Sequence, residues 1–177
     1  MLEQTHINVF DFDDTLFRVP NYTVSEAKGV EPYAWFDSPS SLSERFNIRG
    51  IANTIERCNA AQSVNILVTH RVEACREAVL EILEKSNVRF DAVYFLGRGS
   101  QKADCVMQVI EGTNIERITV FEDTLSEVLG YALRFDEAKI SQEVDFVFVD
   151  KSKIVSISMG DALALAKSAK FEKLRLL

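Results

Sequence analysis

Asp11, Asp13 and Asp14 place three carboxylates within four positions, at the end of the apolar run His6-Ile7-Asn8-Val9-Phe10. Like charges this close repel, and a bound cation is the usual reason to hold them together. Carboxylate and carbonyl oxygens are the donors Mg²⁺ prefers. An acidic turn capping a helix, with Asp14 or Thr15 bonding free backbone N–H groups, is the alternative reading of the same residues. The other groups able to do chemistry also follow short apolar runs. Thr69-His70-Arg71 offers a hydroxyl and N–H groups to an anion, Gly97-Arg98-Gly99-Ser100 leads to Lys102 at a predicted helix start, and Glu122-Asp123 supplies a second acidic pair. Positive charge at a helix N-terminus favours phosphate. Each group has a structural reading on its own; four in order at four successive strand ends favour a shared site.

The runs themselves predict the frame. His6–Phe10, Val64–Val68, Asp91–Leu96, Ile118–Phe121 and Val144–Val149 read as buried strands, and the intervals between them carry helical period. One predicted helix face holds Val72, Cys75, Val79, Ile82 and Leu83; a second holds Ala103, Val106, Met107 and Ile110; a third holds Leu125, Val128, Leu129, Ala132 and Leu133. Alternating strands and helices argue for a parallel sheet with crossover helices, which delivers strand-end side chains to one ligand crevice. The polar turn Asp150–Lys153 and the run Ile154–Ile157 predict an antiparallel hairpin partner, followed by a last helix over about 161–170. Residues 18–43 stand apart, holding all three prolines and the aperiodic aromatics Tyr22, Tyr33, Trp35 and Phe36; they read as an excursion between the first strand and the first crossover helix.

Composition narrows the class. With 177 residues, 47% hydrophobic and 27% charged, the chain is expected to form one domain over 1–177. The longest apolar runs fall far short of the ~20 residues a membrane-spanning helix needs, and Met1–Gln4 opens no signal peptide, so a soluble, cytoplasmic protein without membrane contact is expected. A net charge of −7 provides no basic field for gathering nucleic acid. Cys58, Cys75 and Cys105 form no C-x-x-C pair, and all three are expected reduced and buried.

The order Asp11-Phe12-Asp13-Asp14-Thr15, Thr69, Lys102, Glu122-Asp123 resembles the four motifs of the haloacid dehalogenase (HAD) superfamily of aspartate-nucleophile phosphohydrolases, over about residues 5–125. Phe10–Asp13 with Thr15-Leu16-Phe17-Arg18, Pro20-Asn21, Trp35-Phe36, Ser38-Pro39 and Leu42 is similar to the opening of its Swiss Army Knife RNA repair-like branch. Where that branch continues after the fourth motif with an arginine and a histidine, this chain has Thr124-Leu125-Ser126-Glu127. The resemblance implies a three-layer Rossmann-like fold with strand order 3-2-1-4-5 and a Mg²⁺-dependent phosphatase. Asp11 is then the nucleophile and Asp13 the proton donor and acceptor; Thr69 holds the transferring group and Lys102 balances its charge. Asp11, Asp123 and the Asp13 main-chain carbonyl hold the metal. Glu122 replaces or assists Asp123, which ranks first because strand alternation separates the two side chains.

The excursion of about 26 residues is shorter than the ~40 of a self-standing fold. It makes a minimal cap and leaves the site open to a polymer end. Trp35 and its neighbouring aromatics would stack on a base or anchor the loop, and Arg18, Arg71 and Arg98 could touch phosphates, although Arg71 could equally pair with Glu73. The expected substrate is a phosphorylated nucleic-acid end or nucleotide; a small phosphometabolite, or a binding role without catalysis, are the alternatives.

Overall fold

A computed structural model of the chain describes residues 4–19, 29, 31–43, 47–60, 62–151 and 153–175. Pro20, Asn21 and Tyr22 of the excursion lie outside the described residues. The strands are β1 (His6–Phe10), β2 (Phe17–Arg18), β3 (Arg49–Gly50), β4 (Val64–Thr69), β5 (Ala92–Phe95), β6 (Arg117–Glu122), β7 (Glu143–Asp150) and β8 (Lys153–Ser158). The helices are α1 (Pro32–Phe36), α2 (Ala52–Ala60), α3 (Arg76–Lys85), α4 (Lys102–Ile110), α5 (Leu125–Ala138) and α6 (Met159–Arg175). Among the described residues no helix is long and apolar enough to cross a membrane.

The main sheet runs β5-β4-β1-β6-β7-β8, parallel except for β8, which pairs antiparallel with β7 in the register Val149↔Ile154. This is the order 3-2-1-4-5 with the hairpin added at one edge. β1 sits at the centre, covered on both faces and with a parallel partner on each side, Val9 aligning with Ile66 of β4 and Val120 of β6. Strand alternation divides the core in two. Ile7, Val9, Ile66, Val68, Ile118 and Val120 face α4 and α5, while Phe10, Leu67, Phe121 and Val147 face α2 and α3. On the second face the Phe10 and Phe121 rings stack 4.3 Å apart. The result is three layers.

Several expectations shift in detail. Val72 precedes its helix, and a 3₁₀ turn over Glu73–Cys75 leads into α3. On α5 the buried face is Val128, Tyr131, Ala132 and Phe135, at i, i+3, i+4, i+7, while Leu125 in the first turn is exposed. Reading aliphatic residues alone passed over the two aromatics that fill the space beside Phe146. Cys58 and Cys75 are buried and free, but Cys105 is only partly buried. The last helix begins earlier and runs further than the predicted 161–170. The excursion is closed by the antiparallel pair β2–β3, Phe17↔Gly50, so its stem lies beyond Ser43.

Candidate active site

Asp11 follows β1 with the parity of Ile7 and Val9, so its side chain falls on the α4 side of the sheet. The Asp11 N–H donates to the Phe121 carbonyl (3.1 Å), which extends the β1–β6 pairing to Asp11. The chain then turns tightly. The Phe12 carbonyl accepts from Leu16 N (3.2 Å) and Phe17 N (3.1 Å), Asp14 N donates to Phe17 O (2.8 Å), and Asp14 takes a left-handed φ of 56°, a conformation aspartate tolerates better than most residues. Phe12 and Leu16, both fully buried, anchor this turn in the core.

Lys102 opens α4 and is buried, not solvated as a first-turn lysine commonly is. Its Nζ donates to Asp11 Oδ1 (2.8 Å) and also to Glu122 Oε1. Burial alone would lower the Lys102 ammonium, but the attraction of Asp11 and then Glu122 outweighs it and holds the pKa well above its ordinary value. Glu122 is fully enclosed, and burial pushes its carboxyl up while Lys102 opposes the shift.

Alternation does not separate Glu122 from Asp123 as expected. One oxygen each from Asp11, Glu122 and Asp123 lies within 4.8 Å of the others. β6 ends at Glu122, so the period of two lapses before Asp123 and both acids reach the same place. The parity of Ile118, Val120 and Glu122 is itself a signal for the Lys102 side of the sheet.

Asp123 accepts from Thr124 Oγ1 (3.3 Å), and Thr15 Oγ1 stands at 3.5 Å from the same oxygen. Burial, then the charges of Asp11 and Asp14, push its pKa from the ordinary 3.8 up to about 7. Asp11, Glu122 and Asp123 ionised against one lysine leave two negative charges uncompensated. The all-oxygen donor set and this residual charge suit a hard divalent cation.

Because the folded pKa of Asp123 is raised, its contribution to the metal-free protein is present below about pH 4 and lost as pH rises through 7. A cation that binds the ionised carboxylate reverses this trend. The rise in Tm on adding Mg²⁺ is therefore expected to be larger at pH 8 than at pH 6, as read by differential scanning fluorimetry. Equal increments at the two pH values would dissociate Asp123 from the cation.

Asp13 and Arg71 meet across the opening. Arg71 Nε donates to both Asp13 oxygens (3.0 Å each), and Nη2 to Oδ1 (2.6 Å). Nη1 donates to the Phe36 carbonyl and Ser41 Oγ (2.7 Å each), and the guanidinium lies 5.5 Å from the Phe36 ring centroid. Arg71 thus pairs with Asp13 and not with Glu73, which instead binds Arg76. It is 3% exposed and ties the excursion to the Asp13 carboxyl. Burial holds the Asp13 pKa above its ordinary value, and Arg71 only partly opposes the shift.

Thr69, fully buried at the end of β4, accepts at Oγ1 from Arg71 N (3.2 Å), which leaves its O–H free to point as a donor. His70 Nε2 lies 3.1 Å from the Ser100 carbonyl and links that loop to β4. Trp35 is 4% exposed and packs as a loop anchor, while Tyr33 is the exposed ring, at 62%. Arg98 pairs with Asp37 (3.0 Å). Ser41 as an Arg71 acceptor and Asp37 as the Arg98 partner were missed from the sequence; neither side-chain type at its spacing signals the pairing.

No known protein family and no curated protein matches the sequence. Among solved structures, a chain of the Pnkp1/Rnl/Hen1 complex is similar at 15% identity and a TM-score of 0.52, over 83% of this chain and 46% of that one. A chain of the Pnkp1/Rnl/Hen1 RNA repair complex is similar at 15% identity and a TM-score of 0.53, over 83% of this chain and 43% of that one. The likeness is one of fold, and this chain spans less than half the length of the chains it resembles.

Proposed function

We propose that the protein is a Mg²⁺-dependent phosphatase of the HAD type that hydrolyses a phosphomonoester on a nucleic-acid end or nucleotide. The observation that carries the reading is the clustering of Asp11, Glu122 and Asp123 at the carboxyl ends of two neighbouring strands, with the buried Lys102 bound to the first two. The fold likeness to chains of an RNA repair complex supports the substrate class. Asp11, Asp123 and the Asp13 carbonyl would hold the Mg²⁺, which supplies positive charge against the phosphoryl oxygens.

Lys102 holds Asp11 by Oδ1, so Oδ2 attacks phosphorus; the ester P–O bond breaks as an aspartyl-phosphate forms on Asp11. Asp13 gives its proton to the leaving oxygen and then takes one from the water that attacks the same phosphorus, releasing phosphate and restoring Asp11. Arg71 fixes where the Asp13 carboxyl points, and the Thr69 hydroxyl donates to a phosphoryl oxygen. Glu122 is a positioning residue here: it binds the same Lys102 Nζ that holds Asp11.

A small-metabolite phosphatase is the second reading. It is favoured by the charge of −7 and by the engagement of Arg71 and Arg98 with carboxylates, which leaves little to grip a polyanion. Phosphate release from para-nitrophenyl phosphate, phosphosugars and a 3′-phosphorylated oligonucleotide, with and without Mg²⁺, separates the two. The leading reading expects Mg²⁺-dependent release with the oligonucleotide preferred and its binding steeply weakened by salt. Turnover of phosphosugars with the oligonucleotide and nucleotides untouched would transfer the assignment to a metabolite. No turnover of any ester and no Mg²⁺ binding would point to a protein that binds without catalysis.

A further inference from the structure

The opening above Asp13 is a cavity of about 470 Å³, within the roughly 300–1,000 Å³ of small-molecule sites. Asp13 and the buried Arg71 line it together with Tyr33, Phe36, Asp37 and Arg98. Glu31 caps α1 by accepting from Ala34 N (3.0 Å), and Pro32 starts the helix. The single turn that follows brings Tyr33, Phe36 and Asp37, at i, i+3 and i+4, onto one face.

Arg98 arrives from the loop after β5, whose left-handed Gly97 (φ 65°) and Gly99 (φ 81°) bracket it. Its guanidinium carbon lies 3.9 Å from the Tyr33 ring centroid, and its Nη2 is held at 3.0 Å by Asp37. Tyr33 is covered on one face by Arg98, yet the residue stays 62% exposed, so the ring does little for the core.

We infer that this cavity is the leaving-group subsite and that it takes a flat, uncharged aromatic group, a single nucleobase, stacked on Tyr33 and Arg98. The inference rests on the proposed phosphatase reading, because Asp13 marks the side on which the leaving oxygen sits. Charge decides the rest. Both arginines of the cavity are already paired with carboxylates, so a second phosphate finds no unpaired arginine here, while the planar ring and guanidinium present π-faces. The subsite therefore selects for the base of the terminal nucleotide, and any grip on further phosphates of a chain lies outside this cavity.

The test is a titration of ¹⁵N-labelled protein with adenosine and, separately, with ribose, in wild type, Tyr33→Ala and Tyr33→Phe. Adenosine is expected to shift the Arg98 and Gly99 signals while ribose leaves them in place. Tyr33→Ala should weaken adenosine by about tenfold, and Tyr33→Phe, which keeps the ring, should stay within about threefold of wild type. Adenosine that shifts neither signal, or binds Tyr33→Ala as it binds wild type, overturns the subsite. Para-nitrophenyl phosphate turnover by the same preparation is scored apart: its absence counts against the phosphatase reading, whereas the titration, which needs no catalysis, still decides the subsite. With turnover present, kcat/KM for adenosine 3′-phosphate relative to glycerol phosphate is expected to fall about tenfold in Tyr33→Ala through KM. An unchanged ratio contradicts the inference.

Discussion

Asp11→Asn is expected to reduce Mg²⁺-dependent phosphate release by at least about 10³-fold while leaving a folded protein. The amide keeps an oxygen for Lys102 Nζ, which now lies 2.8 Å from Asp11 Oδ1, and occupies nearly the same volume in a site only 7% exposed. In the proposed mechanism it lacks the anionic oxygen that would form the covalent bond to phosphorus, so the first of the two chemical steps would have no nucleophile. Removing one negative charge beside Glu122 and Asp123 also relieves repulsion. Thermal stability without metal is therefore expected to hold or rise, and Mg²⁺ affinity to fall. Turnover in Asp11→Asn within tenfold of wild type, with both metal and substrate bound, would mean that Asp11 is not the nucleophile.

Lys102→Met carries the second large effect, on stability as well as on activity. Lys102 is the cation shared by two buried carboxylates, its side chain 4% exposed against 8% for Asp11 and 2% for Glu122. Removing it leaves those charges uncompensated, which costs about 3–5 kcal/mol of unfolding free energy in the metal-free protein. The diagnostic is the double variant Lys102→Met/Glu122→Leu. Because the fully enclosed Glu122 is then apolar too, most of the lost stability is expected to return in urea denaturation, whereas phosphatase activity does not. A double variant less stable than Lys102→Met alone would show that Glu122 is held by something other than this lysine.

Much of the frame was legible because the signals are local. Five apolar runs and the helical periods between them predict a parallel sheet, and the order of strands came with the four-motif resemblance. The unread parts involve pairings that no short window contains. Arg71 had Glu73 two residues away as a plausible partner and instead reached Asp13, 58 positions distant. Glu122 was ranked behind Asp123 by extending strand alternation one residue too far. The same alternation, counted from Ile118, places it beside Lys102. Tyr131 and Phe135 were hidden because the α5 face was sought among aliphatic residues. For Trp35 the sequence left anchor and stacking platform both open, and only packing distinguishes the enclosed indole from the exposed ring of Tyr33 two positions earlier.

The central placement of β1 has a consequence for folding kinetics. Its partners align Ile7 with Val64 on one side and with Ile118 on the other, and Asp11 meets Lys102 across 91 positions. Long loops must close before either pairing is rewarded, so the strand that leads into Asp11 is expected to lock late. The repulsion among the acids is then met only once α4 and β6 have docked. Amide hydrogen exchange at Val9, Phe10 and Asp11 is accordingly expected to follow opening of the whole sheet. On that expectation the central strand becomes accessible only when the domain as a whole comes apart.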